Sequence, residues 1–226
     1  MLNRSALTIR LHPNDDVVIA RVQLVGGTAL LDEEITVAGL VPPGSRVLDL
    51  GCGNGDLLAE LIGRRGCRGQ GVEVSPDAFY ACVNRGIPVV QADIDEGLGD
   101  FEDGSFDVVV LSQTLQATHR PVLVIREMMR VGRVAVVSFP NFGHWRSRLH
   151  LGLRGRMPVS GALPYAWYET PNIHLCTLRD FEDLAAAEGL TVADRRLLRA
   201  DGRGARSGGG RRANLLAAGV VYLLTR

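Results

Sequence analysis

Three carboxylates and a run of glycines are spaced as a nucleoside-like ligand would require. Asp49 stands two residues before Gly51-Cys52-Gly53-Asn54-Gly55, Glu73 lies 20 positions beyond Gly53, and Asp93 falls in Gln91-Ala92-Asp93-Ile94. Glycine suits a loop whose backbone must take positive φ and approach a ligand closely. A helix opening directly after such a loop adds free N–H groups and a partial positive charge. Glu73 is placed to accept hydrogen bonds from ribose hydroxyls; the alternative is a surface acid at a strand end. Asp93 suits the amino group of an adenine, with Ile94 packed on the ring; the alternative is a turn-forming aspartate.

Two features distinguish the ligand. The loop reads G-x-G-x-G, and Asp56 stands where a dinucleotide fingerprint has its third glycine. Asp49 would repel a pyrophosphate but suits the ammonium of a methionine moiety, unless it merely caps loop N–H groups. Both favour S-adenosylmethionine (SAM) over NAD, and an NAD-dependent oxidoreductase is disfavoured.

The elements that must position these groups follow from hydrophobic periodicity. Val47-Leu48-Asp49-Leu50 reads as a buried strand, and Leu57, Leu58, Leu61 and Ile62 mark one face of the next helix. A second strand ends at Glu73-Val74. Ser75 and Pro76 are a good cap and first residue for a helix burying Phe79, Cys82 and Val83. Further strands are expected over 88–94, 106–111 and 134–139, with a helix opening at Pro121 between the last two. Thr177 with Asp180 forms a capping-box pattern. Residues 190–198 and 215–224 read as two closing strands. The alternation implies an α/β fold with a doubly wound, mostly parallel sheet. Three stretches break the pattern. Residues 1–44 look β-like, through 7–10 and 17–24, and are expected to form a β-rich appendage to a domain spanning 45–226. Residues 142–174 form a long irregular insertion. Residues 200–212 form a Gly/Arg-rich loop whose Arg203, Arg206, Arg211 and Arg212 are better read as solvated than as an anion site.

Composition narrows the classes. Lys and Arg total 25 and Asp and Glu total 25, so no net field steers the chain to nucleic acid or an acidic membrane. The four cysteines show neither C-x-x-C nor metal-ligand spacing, which implies no metal and a reducing cytoplasm. The apolar runs are strand-sized, and no membrane span is expected. The loop Ser112-Gln113-Thr114 lacks the Asn/Asp-Pro-Pro-aromatic pattern of methyltransferases acting on nucleic-acid bases. Methyl transfer needs positioning more than acid–base help, so the catalytic residue is left unknown. His144, Tyr165 and His174 are the candidates within the insertion, and for either histidine a structural role is the commoner alternative. The insertion's aromatic residues suit a lid over the substrate, a partner surface or plain packing.

Val47 to Gly55 resembles motif I of class I SAM-dependent methyltransferases, and Glu73, Asp93 and Phe106 to Val110 fall where that family's later motifs fall. The resemblance implies a Rossmann-like, seven-stranded sheet with a closing antiparallel hairpin. It also implies a cofactor site for SAM or S-adenosylhomocysteine made of Asp49, Gly51, Cys52, Gly53, Asn54, Gly55, Glu73, Val74, Asp93, Ile94 and Ser112. A narrower resemblance runs from residue 45 to 195. Leu111 to Gln116, Phe139 to Trp145, Gly155 to Pro158 and Leu163 to Thr177 are similar to the methionine biosynthesis protein MetW family. That family implies a cytoplasmic role in methionine synthesis in company with homoserine O-acyltransferase. The alternative is a SAM-dependent methyltransferase of an unidentified small molecule.

Overall fold

A computed structural model describes residues 6–7, 22–25, 28–30, 32–160, 163–199, 205–207 and 212–226. The main sheet contains β4 (Arg46–Leu50), β5 (Arg68–Glu73), β6 (Val89–Gln91), β7 (Phe106–Ser112), β8 (Gly132–Pro140), β9 (Thr191–Leu198) and β11 (Gly219–Thr225). A short edge strand, β10 (Ala205–Ser207), makes an eighth, and the order is β10-β9-β11-β8-β7-β4-β5-β6. From β6 to β8 the pairings are parallel. β11 runs antiparallel to both β8 and β9, which is the expected closing hairpin. The chain winds outward from β4 in both directions, so the carboxyl ends of β4 and β7 flank the switch point where such sheets bind ligands.

Both faces of the sheet are covered, as strict alternation shows. Leu48, Val109, Val137 and Val220 point into one core cluster with Ile125 and Met128 of α4 (Pro121–Val131) and Phe181 of α6 (Leu178–Ala187). Val47, Val108, Val136 and Val221 point the other way, onto Leu57 and Leu61 of α2 (Asp56–Arg65). Phe139, Phe181 and Tyr222 form an aromatic trio with ring centroids 4.9–6.0 Å apart, fixing β11 and α6 against β8. α6 opens on the expected capping box of Thr177 and Asp180.

Several elements differ from expectation. β1 (Ala6–Leu7), β2 (Val22–Val25) and β3 (Thr28–Leu30) do form a small antiparallel sheet, but Asp32–Leu40 is a helix, α1, not β structure. The β-branched run Ile35-Thr36-Val37 suggests a strand, yet Val37, Ala38 and Val41 share one helical face and join the core with Val47 and Leu61. The strands read over 7–10 and 17–24 are observed only in part, since residues 8–21 lie outside the described residues. The insertion contains a helix, α5 (Trp145–Arg154), and the last strand is preceded by a helical turn, α7 (Ala213–Leu216). The strand read over 88–94 is three residues long, with Ile94–Glu96 turning as a 3₁₀ helix. In α3 (Pro76–Asn84) Cys82 is buried and Phe79 half-buried, but Val83 is exposed, because the helix covers the sheet's edge and meets it on a narrow stripe. Of the four arginines in the Gly/Arg-rich stretch, only the Arg212 side chain falls within the described residues, where it is exposed.

Candidate functional site

The glycine loop leaves β4 and enters α2 in one tight excursion. Gly51, Gly53 and Gly55 have φ of 69°, 53° and 76°. Each has a different reason to lack a side chain. A Cβ on Gly51 would lie 2.7 Å from Thr114 of the loop after β7, and one on Gly55 would lie 2.6 Å from Ile87. A Cβ on Gly53 would meet no atom within 4 Å, so the space beside it is open. Cys52 is buried, its Sγ 3.9 Å from that of Cys82, and Asn54 is exposed.

Glu73 locks this loop to the second strand. Its Oε2 accepts the Gly53 N–H at 2.8 Å and its Oε1 accepts the Ser75 N–H at 2.9 Å. Each oxygen retains lone-pair capacity, because an ionised carboxylate offers about four acceptor positions. Ser75 therefore sits at the cap of α3 through its backbone, and its hydroxyl makes no cap bond. Beside Glu73, Val74 presents an apolar side chain that is 60% exposed. Asp93 is exposed and receives the Asp95 N–H at 2.9 Å on one oxygen, while Ile94 is half-buried behind it.

Asp49 differs from the other carboxylates. It is buried, and no hydrogen bond to its side chain is found among the described residues. Burial pushes its carboxyl up to about 8, and the charges of Glu34 and Glu73 push in the same direction. An ionised carboxylate at this depth would call for a cationic or hydrogen-bonding partner.

The neighbour Glu34 reveals what sequence reasoning missed. Asp49 alternates onto the Val47 face of β4, which α1 covers. The first turn of α1 therefore delivers two acids to the strand ends. Glu33 accepts hydrogen bonds from Ser112 Oγ at 3.1 Å and from Ser138 Oγ and the Gln113 amide. Burial raises the Glu33 carboxyl above its ordinary range, against the lowering effect of those three donors. Ser112, expected at the cofactor, is thus engaged with Glu33. Gln113 holds φ of 50° without being glycine, a strained conformation of the sort found at binding sites. The signal for α1 was present in Asp32-Glu33-Glu34, since acids gather in a helix's first turn.

The loop after β7 also reaches the insertion. The carbonyl of Gln116 accepts the N–H groups of Ile173 at 2.7 Å and His174 at 2.9 Å. Gln116 is buried, and its side-chain Oε1 has no partner among the described residues. The three insertion candidates are not brought together. His144 is buried at the start of α5, where its Nδ1 accepts the Arg146 N–H at 3.4 Å. Burial, with Arg146 adding, lowers its pKa and favours the neutral ring. Tyr165 is half-exposed and His174 is exposed, tied to the rim by its backbone. No hydrogen bond links the three side chains to one another or to Asp49 or Glu73 among the described residues. No group of three or more His, Cys, Asp or Glu suited to a metal occurs among the described residues.

The family model described as "Methionine biosynthesis protein MetW" matches residues 32–224. The chain belongs to the MetW family. That match begins at α1, the helix that carries Glu33 and Glu34 to the strand ends. The bifunctional methionine biosynthesis protein MetXA/MetW of Rhodopirellula baltica is 42% identical over 166 residues, covering 70% of this chain and 26% of that protein. The chain thus spans only about a quarter of that relative. A ubiquinone biosynthesis O-methyltransferase of Methylococcus capsulatus is 30% identical, over 65% of this chain and 67% of that one. Among solved structures, a SAM-dependent methyltransferase of Thermotoga maritima superposes with a TM-score of 0.63 at 18% identity, covering 85% of this chain and 87% of that chain. The fold is that of SAM-dependent methyltransferases.

Proposed function

We propose that this chain binds SAM, or S-adenosylhomocysteine, at the ends of β4 and β5, and supports or regulates homoserine O-acyltransferase in methionine synthesis. The observation that carries the partner role is the Rhodopirellula baltica relative, in which the matching region belongs to a protein named for both MetXA and MetW. A single polypeptide containing both components gives them a high effective concentration, as befits proteins that act together.

The chain's own residues fit the cofactor. Asp49 is buried and no hydrogen-bond donor to it is found among the described residues, and an ammonium group would supply one. Glu73 retains acceptor capacity for ribose hydroxyls, and Val74 and Ile94 offer apolar contact for an adenine whose amino group Asp93 accepts. The open space at Gly53 leaves room for the ligand to touch backbone. Bound SAM would supply an activated methyl group or, if no acceptor exists, a signal of the pathway's product. We place this function in the cytoplasm; no helix among the described residues is long and apolar enough to cross a membrane.

Acyl transfer to homoserine by the same organism's acyltransferase, alone and with this protein, each with and without SAM, tests the proposal. Stimulation that needs both proteins and changes with SAM is expected. Equal rates in all four mixtures refute it. The second reading, a small-molecule methyltransferase, is favoured by the resemblance to the Methylococcus capsulatus O-methyltransferase over two thirds of that chain. It expects labelled methyl groups from SAM to appear in cell metabolites, and recovery of unmodified SAM alone counts against it.

A further inference from the structure

A ten-residue helix is held in water chiefly by the face it buries. α5 buries only Ser147 along Trp145–Arg154. Trp145, Leu149, Leu151 and Leu153 are 41%, 50%, 40% and 76% exposed. Beyond it Trp167 and Tyr168, 73% and 70% exposed, pack edge to face at 5.7 Å. Eleven of the seventeen exposed large hydrophobic side chains among the described residues fall between Trp145 and Leu175. Isolated exposed leucines need no explanation, but so many large apolar side chains exposed along one segment call for a partner.

The stretch is nevertheless anchored at its base. Phe142 N–H donates to the Cys176 carbonyl at 3.1 Å, closing the excursion, and Ile173 and His174 are bonded to Gln116. The Asn141 amide donates to the carbonyls of Asn214 at 3.0 Å and Ala217 at 2.7 Å, and Arg148 Nε donates to the Gly143 carbonyl at 2.6 Å. The surface is therefore presented from a fixed rim.

Its charge is one-sided. From Phe142 to Leu175 the chain carries Arg146, Arg148, Arg154 and Arg156 against Glu169 alone, although the whole chain is neutral. Exposed aromatic residues interleaved with arginine are the composition of protein-interface cores. We infer that α5 and the Trp167–Tyr168 turn dock an apolar protein face rimmed by carboxylates, and that this face belongs to the acyltransferase of the proposed function. The inference rests on that reading. A relative that joins the two components in one name favours this occupant over a second copy of the chain or an anionic membrane.

Leu153→Glu and Trp167→Glu place like charges against the partner's carboxylates at positions that carry no fold. The native chain, each variant, and Val83→Glu on α3 as a control would be titrated against the purified acyltransferase. Light scattering of this chain alone and sedimentation with phosphatidylglycerol vesicles would run beside it. The native chain and the control should bind equally, with each insertion variant at least tenfold weaker and SAM binding unchanged in all four. Native binding retained by both variants overturns the inference and leaves the partner role standing. Failure of the native pair to associate refutes the partner role itself. A native dimer that the variants split, or vesicle binding that they abolish, with acyltransferase affinity unaltered, assigns the surface to those occupants instead and overturns the inference.

Discussion

At Gly53 the backbone holds φ of 53° beside open space, and two substitutions separate the consequences. Gly53→Val puts a β-branched residue in the left-handed region, which costs roughly 1–3 kcal/mol, and also fills the cofactor's room. Asparagine tolerates that conformation better. Gly53→Asn should therefore melt close to the native protein and still lose SAM affinity in calorimetric titration. Retained affinity in both variants would move the cofactor elsewhere. Asp49 gives a proton signature. Its carboxyl is held at about 8 against an ordinary 3.8, so the folded chain keeps a proton that the unfolded chain loses between these values. Folding stability from this group thus falls as pH rises through that window. A bound ammonium favours the ionised form, so SAM binding at pH 7 should release protons. Titration heats in phosphate and Tris should differ accordingly, and Asp49→Asn should abolish the difference. Identical heats in the native protein would remove Asp49 from the ammonium site. Asp49 and Glu73 were legible because strand, glycine loop and acid follow at fixed intervals. The grip of Glu73 on the Gly53 and Ser75 N–H groups was not, since it depends on two loops meeting.

Among the elements, α1 and α5 escaped the periodicity for opposite reasons. α1 contains β-branched residues in its middle turn, and only tertiary packing reveals that Val37 and Ala38 face the sheet. α5 carries Trp145, Leu149 and Leu153 at helical spacing, but that face is exposed and arginines interrupt it, so the segment reads as irregular. The parallel strands were legible because they are covered on both sides and read as unbroken apolar runs. The importance of α1 can be measured. Val37 is fully buried, whereas Gly39 on the same helix is exposed, and a Cβ there would meet nothing within 4 Å. Val37→Asp leaves an unpaired charge in the core and should lower unfolding free energy by about 3 kcal/mol or more. Gly39→Asp should be nearly neutral. Urea midpoints distinguish them, and equal midpoints would show that α1 contributes nothing to the core. Because α1 also carries Glu33 and Glu34, Val37→Asp should weaken SAM binding more than its stability loss explains.

For the whole molecule, the sheet's order brings residues distant in sequence to one end. Asp49 of β4, Glu73 of β5, Ser112 of β7 and Ser138 of β8 lie along the carboxyl edge, and α1 closes it with Glu33. The acids gathered there, of which burial holds Asp49 and Glu33 toward the protonated form, become charged acceptors when a cationic ligand arrives, whereas the insertion is basic. This separation makes the ligand's charge testable by its effect on global unfolding. A ligand bound only by the native state raises stability by RT ln(1 + [L]/Kd), about 2.7 kcal/mol at a concentration of about 100 Kd. For a domain of this size that corresponds to a midpoint rise of about 5–10 °C. SAM, with its ammonium and sulfonium, should raise the melting midpoint by an amount of this order. NAD, whose pyrophosphate would face Asp49, Glu73 and Glu34, should leave it unchanged. Asp49→Asn should lose most of the SAM-induced rise, because the ammonium then loses its charged acceptor. A rise with NAD, or an undiminished SAM response in Asp49→Asn, would refute the charge argument and transfer recognition to the nucleoside half of the site at Glu73.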